Sequence, residues 1–159
     1  MKKFISFEYN LTEEYHAIGI SSHLKDYKLC WNLNNILEIN LQKNNNFISS
    51  KKKSNLEEYS FYHYYDLNQR CFYYLLSNKK NNSFLIEKMP ETDYVLLMKG
   101  YMNQQKINDI VINIKKTTNI LTAFLINMEK YNEMNGFLTD IELHYINVIK
   151  ETGSHLLIN

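Results

Sequence analysis

The stretch "EYSFYHYYDLNQRCFYYLLSN" (58–78) constrains the fold more than any other part of the chain. Two aromatic runs flank the polar turn "DLNQR" (66–70), and aromatic residues favour strands. The pattern predicts a β-hairpin with a loop of several residues. Along its first strand Tyr59, Phe61, His63 and Tyr65 alternate to one face, with Tyr62 and Tyr64 on the other. Tyr73 and Tyr74 add rings on the return strand. One face is expected to pack under helices and the other to form a Tyr-rich surface.

The segments around the hairpin supply those helices. "YHAIGI" (15–20), bounded by Ser21 and Ser22, reads as a strand. A helix is expected over 23–37, with Tyr27, Cys30, Leu33 or Asn34, and Leu37 as its buried stripe and Ser21 or Ser22 as its N-cap. Further strands are expected at 84–86 and 94–98, around a turn holding Pro90. The clearest helical period follows: Asn103 as cap, then Ile107, Ile110, Val111 and Ile114. "ILTAFLI" (120–126) is apolar on both faces, which predicts a central strand. A last helix carries Leu138, Ile141, Tyr145 and Val148 on one face, with Gly153 as its C-cap. "KNNN" (43–46), "KKKSN" (51–55) and "NKKNNS" (78–83) read as solvated loops.

Strand, helix, antiparallel strands, helix, strand, helix is an α+β order, with helices packed against a mostly antiparallel sheet in a single domain. Residues 1–137 form that domain. Residues 138–159 are a C-terminal amphipathic helix extension packed on or beside it.

Composition narrows the function. The 159 residues are 45% hydrophobic and 22% charged with a net charge of +1, a balance without electrostatic commitment to nucleic acid or anionic membrane. No run approaches the ~18 apolar residues of a membrane span. The opening 20 residues are interrupted by Glu8, Glu13 and Glu14, unlike a secretory signal. Cys30 and Cys71 lack CxxC spacing and read as reduced, buried thiols, which suits a cytoplasmic protein. The abundance of Asn, Lys, Ile and Tyr follows from AT-rich codons without a functional cause.

The densest chemistry is "SSHLKDYKLCW" (21–31). On a helix His23, Asp26 and Cys30 share a face, but His23 and Cys30 stand about 10 Å apart along the axis, too far for a Cys–His pair. A carboxylate four residues from Cys30 also disfavours its thiolate. The turn Gly19, Ser21, Ser22, His23 is a candidate anion site, since helix N-termini hold phosphates and carboxylates. No GxGxxG, GxxxxGK[ST] or GxSxG accompanies it. The five histidines show no zinc spacing, and Glu13–Glu14 and Glu57–Glu58 are adjacent pairs that diverge. No catalytic residue, metal or cofactor is expected.

Four blocks in order, "IGISSHLKDYKLCW", "CFYYLLSNK", "FLIEKMPETDYVLLMKG" and "ILTAF", resemble the IPExxxVDY family of short uncharacterised bacterial proteins. In the naming motif Ile86, Asp93 and Tyr94 match, while Glu87, Lys88 and Thr92 replace the Pro, Glu and Val. The resemblance implies a small cytoplasmic α+β protein with no established activity and no catalytic residues to carry over. The lost Pro and Glu argue against a chemical role at those two positions.

The expected function is a non-catalytic protein-interaction module that binds a protein partner or itself, not a membrane. Its candidate surface is Tyr62, Tyr64 and the stripe Leu138, Ile141, Tyr145. Two alternatives stand beside it: an RNA-binding sheet that stacks bases on the exposed aromatic face, and a small enzyme with an anion site between Ser21 and Asp26.

Overall fold

A computed structural model describes residues 10–49 and 57–151. The expectations for 1–9, for "KKKSN" (51–55) and for Gly153 lie outside the described residues.

The elements run β1 (Tyr15–Ser22), α1 (Asp26–Leu37), β2 (Gln42–Ile48), β3 (Glu58–Asp66), β4 (Cys71–Ser77), β5 (Lys79–Lys80), β6 (Ser83–Phe84), β7 (Tyr94–Lys99), α2 (Gln104–Lys115), β8 (Ile120–Leu125) and α3 (Met134–Glu151). Six strands form one antiparallel sheet in the order β2-β3-β4-β7-β1-β8, and β5 and β6 form a separate small hairpin. The chain is therefore α+β, a single domain with helices against an antiparallel sheet.

Alternation along the inner strands divides the core in two. On one side Ala17, Phe61, Tyr74, Leu76, Val95 and Leu97 meet Met134, Phe137, Leu138, Ile141 and Tyr145 of α3. On the other, Ile18, Ile20, Tyr62, Tyr73, Leu75, Leu96 and Met98 meet Leu29 and Leu33 of α1 and Ile107, Ile110 and Ile114 of α2. Helices thus cover both sheet faces, which the alternation along the hairpin does not require.

The β3–β4 hairpin forms where the aromatic runs place it. Asp66 Oδ1 accepts from the Asn68 and Gln69 amides at 2.9 and 3.2 Å, and Arg70 turns the chain into β4 with φ 52°. Gly100 ends β7 at φ +150°, where a Cβ would lie 2.9 Å from the Arg70 carbonyl, so only glycine fits. Asn103 caps α2, its Oδ1 accepting from the Lys106 amide at 2.8 Å.

Several boundaries differ from the sequence reading. Ser21 and Ser22 continue β1, paired with Thr122 and Ile120 of β8, so neither caps α1. The helix begins at Asp26 behind Lys25, which supplies no side-chain cap. Its buried stripe is Leu29, Cys30 and Leu33, and Tyr27 points outward. "KNNN" (43–46) lies within β2, bulged between Asn44 and Phe47. Asn78 is fully buried: its Nδ2 donates to the Met89 and Thr92 carbonyls at 3.0 and 2.8 Å, and its Oδ1 accepts from the Ile86 amide at 2.7 Å. Those bonds hold 85–93 beside the sheet, and only Ser83–Phe84 near the expected 84–86 strand is extended, paired to β5. Among the described residues β8 is not central but the last strand of the sheet. Last, α3 starts at Met134, so the boundary at 137/138 falls inside a helix that seals the core from its first turn. Among the described residues no helix is long and apolar enough to cross a membrane.

Candidate functional site

The structure closes the anion site expected at Gly19, Ser21, Ser22 and His23. The Ser22 amide, which would hold an anion, donates to Asp93 Oδ2 at 2.8 Å, so the protein's own carboxylate fills the position. Ser21 Oγ donates to the Glu91 carbonyl at 2.6 Å, and Ser22 Oγ to the Asn119 carbonyl at 2.7 Å. A Cβ on Gly19 would stand 2.6 Å from the Phe124 ring, so this glycine accommodates packing rather than a ligand. His23 is exposed and outside the helix. These polar groups fasten β1 to its neighbours.

The thiol of the same stretch is equally unsuited to chemistry. Burial pushes Cys30 up to about 11, the Asp26 carboxylate adding to the shift against the opposing Asn34 amide. Asn34 does more in the loop after the helix. Its Nδ2 donates to the Leu41 carbonyl at 3.1 Å and its Oδ1 accepts from the Leu41 amide at 2.7 Å, which clamps α1 to β2. Cys71 is also buried and raised to about 11, burial again the main cause.

The aromatic surface expected at Tyr62 and Tyr64 is turned inward. Tyr62 is 4% exposed, and its hydroxyl donates to Asp26 Oδ2 at 2.9 Å. Burial alone would raise Asp26, but that bond and the Lys43 ammonium at 3.4 Å outweigh it and hold the carboxyl below its usual range. Tyr64 is half-buried, 6.1 Å from Tyr73 by ring centroids. Leu138 and Ile141 are fully buried and Tyr145 nearly so, its ring edge-on to Phe72 and Tyr74. Periodicity identifies a packed stripe correctly but not which side of it faces protein. With α1, α2 and α3 over the sheet, the hairpin presents no open face on which bases could stack.

What α1 does present is Tyr27 and Trp31. They lie one turn apart on its outer face, 56% and 68% exposed, and Trp31 is the only tryptophan in the chain. The sequence reading places Tyr27 inside and gives Trp31 no role. The signal is present: with Leu29 and Leu33 as the inward pair, the 3.6-residue period turns 27 and 31 away from it.

The positions that carry the family resemblance are also fasteners. Ile86 is buried and its amide reaches Asn78. Asp93 donates its amide to the Ile20 carbonyl at 3.0 Å while its carboxylate takes the Ser22 amide. Tyr94 donates its hydroxyl to the Leu24 carbonyl at 2.5 Å, pinning the entry to α1. Glu87 and Lys88, where the motif differs, are exposed. Thr92, which replaces the motif's Val, is fully buried with a hydroxyl that meets no partner among the described residues.

Two further polar clusters remain. At one end of β1 and β7, Glu142 Oε1 accepts from Tyr15 Oη at 3.0 Å and Lys99 Nζ at 2.5 Å, with Glu14 3.7 Å from Lys99. A groove of about 490 Å³ between Glu13, Glu14, His16 and Tyr101 opens beside it, but Lys99 is already engaged by carboxylates. Between β3 and α3, His63 of the strand and His144 of the helix sit among Phe61, Phe47 and Tyr145, and burial holds both imidazoles below their usual range. Among the described residues no three His, Cys, Asp or Glu side chains converge as metal ligands. No family model matches the chain, and no curated protein matches it.

Proposed function

We propose that the chain is a non-catalytic protein-interaction module that binds a partner through the outer face of α1. The observation that carries this reading is the exposure of Trp31, with Tyr27 one turn away. Tryptophan and tyrosine are enriched at binding hot spots because they bring large, rigid apolar area with a polar handle. The rest of the chemistry supports it: the thiols are buried and shifted away from reactivity, and the serines and Asp93 are consumed in fastening the fold. Membership of the IPExxxVDY family and a bacterial, cytoplasmic setting belong to the same proposal. They rest on the four matching blocks and on two free, buried thiols.

The test is capture of partners from nuclease-treated bacterial extract by the wild-type chain and by Trp31→Ser. A partner retained by the wild type should lose roughly 30-fold in affinity in the variant, the equivalent of about 2 kcal/mol. The emission of Trp31 should shift to the blue when the purified partner binds. Equal capture by both proteins would remove α1 as the surface. Capture abolished by nuclease alone would replace a protein partner by RNA.

A further inference from the structure

The last strand of the sheet has one side that no described strand covers. Among the described residues β8 pairs with β1 on one side only, and its main packing is against β1 and α2. The Ile126 amide donates to the Ala17 carbonyl at 2.8 Å, which fixes the alternation along the strand. Phe124, opposite Gly19, directs its backbone groups to β1, so Ala123 and Leu125 turn theirs outward. Edge strands are ordinarily blunted by charge, proline or a bulge on the open side. The sequence of β8, "ILTAFL", has no charged residue and no proline, its one register shift falls at its start, at Leu121, and it leaves Leu121 and Leu125 65% and 43% exposed.

We propose that β8 pairs antiparallel with β8 of a second copy of this chain, joining two sheets into one across a two-fold axis at Ala123. The self-complementarity of the strand selects this occupant. An axis at Ala123 sets Ala123 against its own counterpart and brings Leu121 of each copy opposite Leu125 of the other. The two exposed leucines thereby cover each other, and the outward backbone groups of Ala123 meet those of the facing Ala123. An isologous pairing of a charged strand would set like charges face to face, and β8 carries none. Six residues span only about 20 Å, less than a standard interface, so the dimer forms at micromolar concentrations and above. The contact uses none of the α1 surface and stands or falls separately from the function proposed for it.

Sedimentation velocity on the full chain from roughly 5 to 500 µM tests the proposal. The wild type should pass from monomer to dimer. Leu121→Lys with Leu125→Lys places like charges opposite each other across the axis and should weaken association on the order of 100-fold. Both residues are exposed, so the thermal transition of the dilute monomer should hardly move. Leu121→Lys alone supplies the same reading if the double variant is poorly folded. Leu143→Lys with Ile146→Lys adds equal charge at exposed α3 positions, 56% and 46% exposed, and should leave the dimer intact. Trp31→Ser should also dimerise normally. A wild type that stays monomeric throughout, or a dimer that survives the β8 lysines or is lost equally with the α3 lysines, would overturn it.

Discussion

The two edges of the sheet differ in how they end it. β2 is polar, carries Lys43 and three asparagines, and bulges between Asn44 and Phe47. It is also tied to α3: His144 Nε2 donates to the Asn45 carbonyl at 2.9 Å, and Asn45 Nδ2 to Glu151 at 2.5 Å. Phe47, 3% exposed, inserts edge-on between Phe137 and His144. β8 shares only the irregularity, a register shift at Leu121 opposite Ser21 and Ser22, and from Thr122 to Leu125 it runs regularly, with no charge and with outward backbone groups. One edge is tied to its own helix, and the other has no partner strand among the described residues. The difference locates where this fold accepts another chain.

The largest expected effect distinguishes the edges by stability. Phe47→Ala removes a ring from the core under α3 and should cost about 3–5 kcal/mol, read by urea unfolding. Leu121→Ala on β8 should cost under about 0.5 kcal/mol in the dilute monomer, because that side chain is mostly in water. Similar losses at both positions would mean that β8 is buried against something within its own chain.

Acid should act chiefly on the β2 side. Burial holds His63 and His144 below their unfolded value of about 6.5, and the positive charge of His144 adds to the effect on His63. The unfolded chain therefore takes up protons first. Stability is full above about pH 6.5 and falls as pH drops through the lower folded values. His16 on β1, also lowered by burial, contributes with the same sign. His63→Phe should flatten part of that slope in pH-dependent unfolding. β8 holds no titratable group, so its self-association should not follow the acid. A slope unchanged in His63→Phe would assign the acid response elsewhere.

Away from both edges, Thr92→Val should stabilise the chain by about 1 kcal/mol, since a methyl replaces a buried hydroxyl with no partner among the described residues. It should leave the dimer constant alone, which makes it a control for effects that act through global stability. A destabilised variant in thermal melting would show that the hydroxyl has a partner in solution.

Much of this architecture is legible in the residues, and the parts that are not share a physical cause. The β3–β4 hairpin, the cap and stripe of α2 and the inward face of α3 follow from local periodicity and turn chemistry. Strand order does not, because β8 and the central β7 are both apolar along most of their length. Only pairing shows that one is flanked twice and the other once. For the same reason neither Tyr62 nor Leu138 can be assigned to core or surface from the pattern alone. Alternation separates two faces, but whether a second helix layer covers the outer one is a long-range fact. Asn78 and Asp93 escape a sequence reading because their role is to satisfy backbone groups distant in sequence, and composition gives an asparagine among lysines the look of a loop. The outward pair Tyr27 and Trp31 is within reach of the helical period, once Leu29 and Leu33 are taken as the anchor.

Backbone amide exchange across concentration tests the contrast between the edges most directly. At low micromolar concentration the Ala123 and Leu125 amides should exchange rapidly, their outward N–H groups open to water. At high concentration both should gain protection while the β2 amides stay unchanged. Exchange at Ala123 and Leu125 that does not depend on concentration, or protection that rises along β2 instead, would contradict the account.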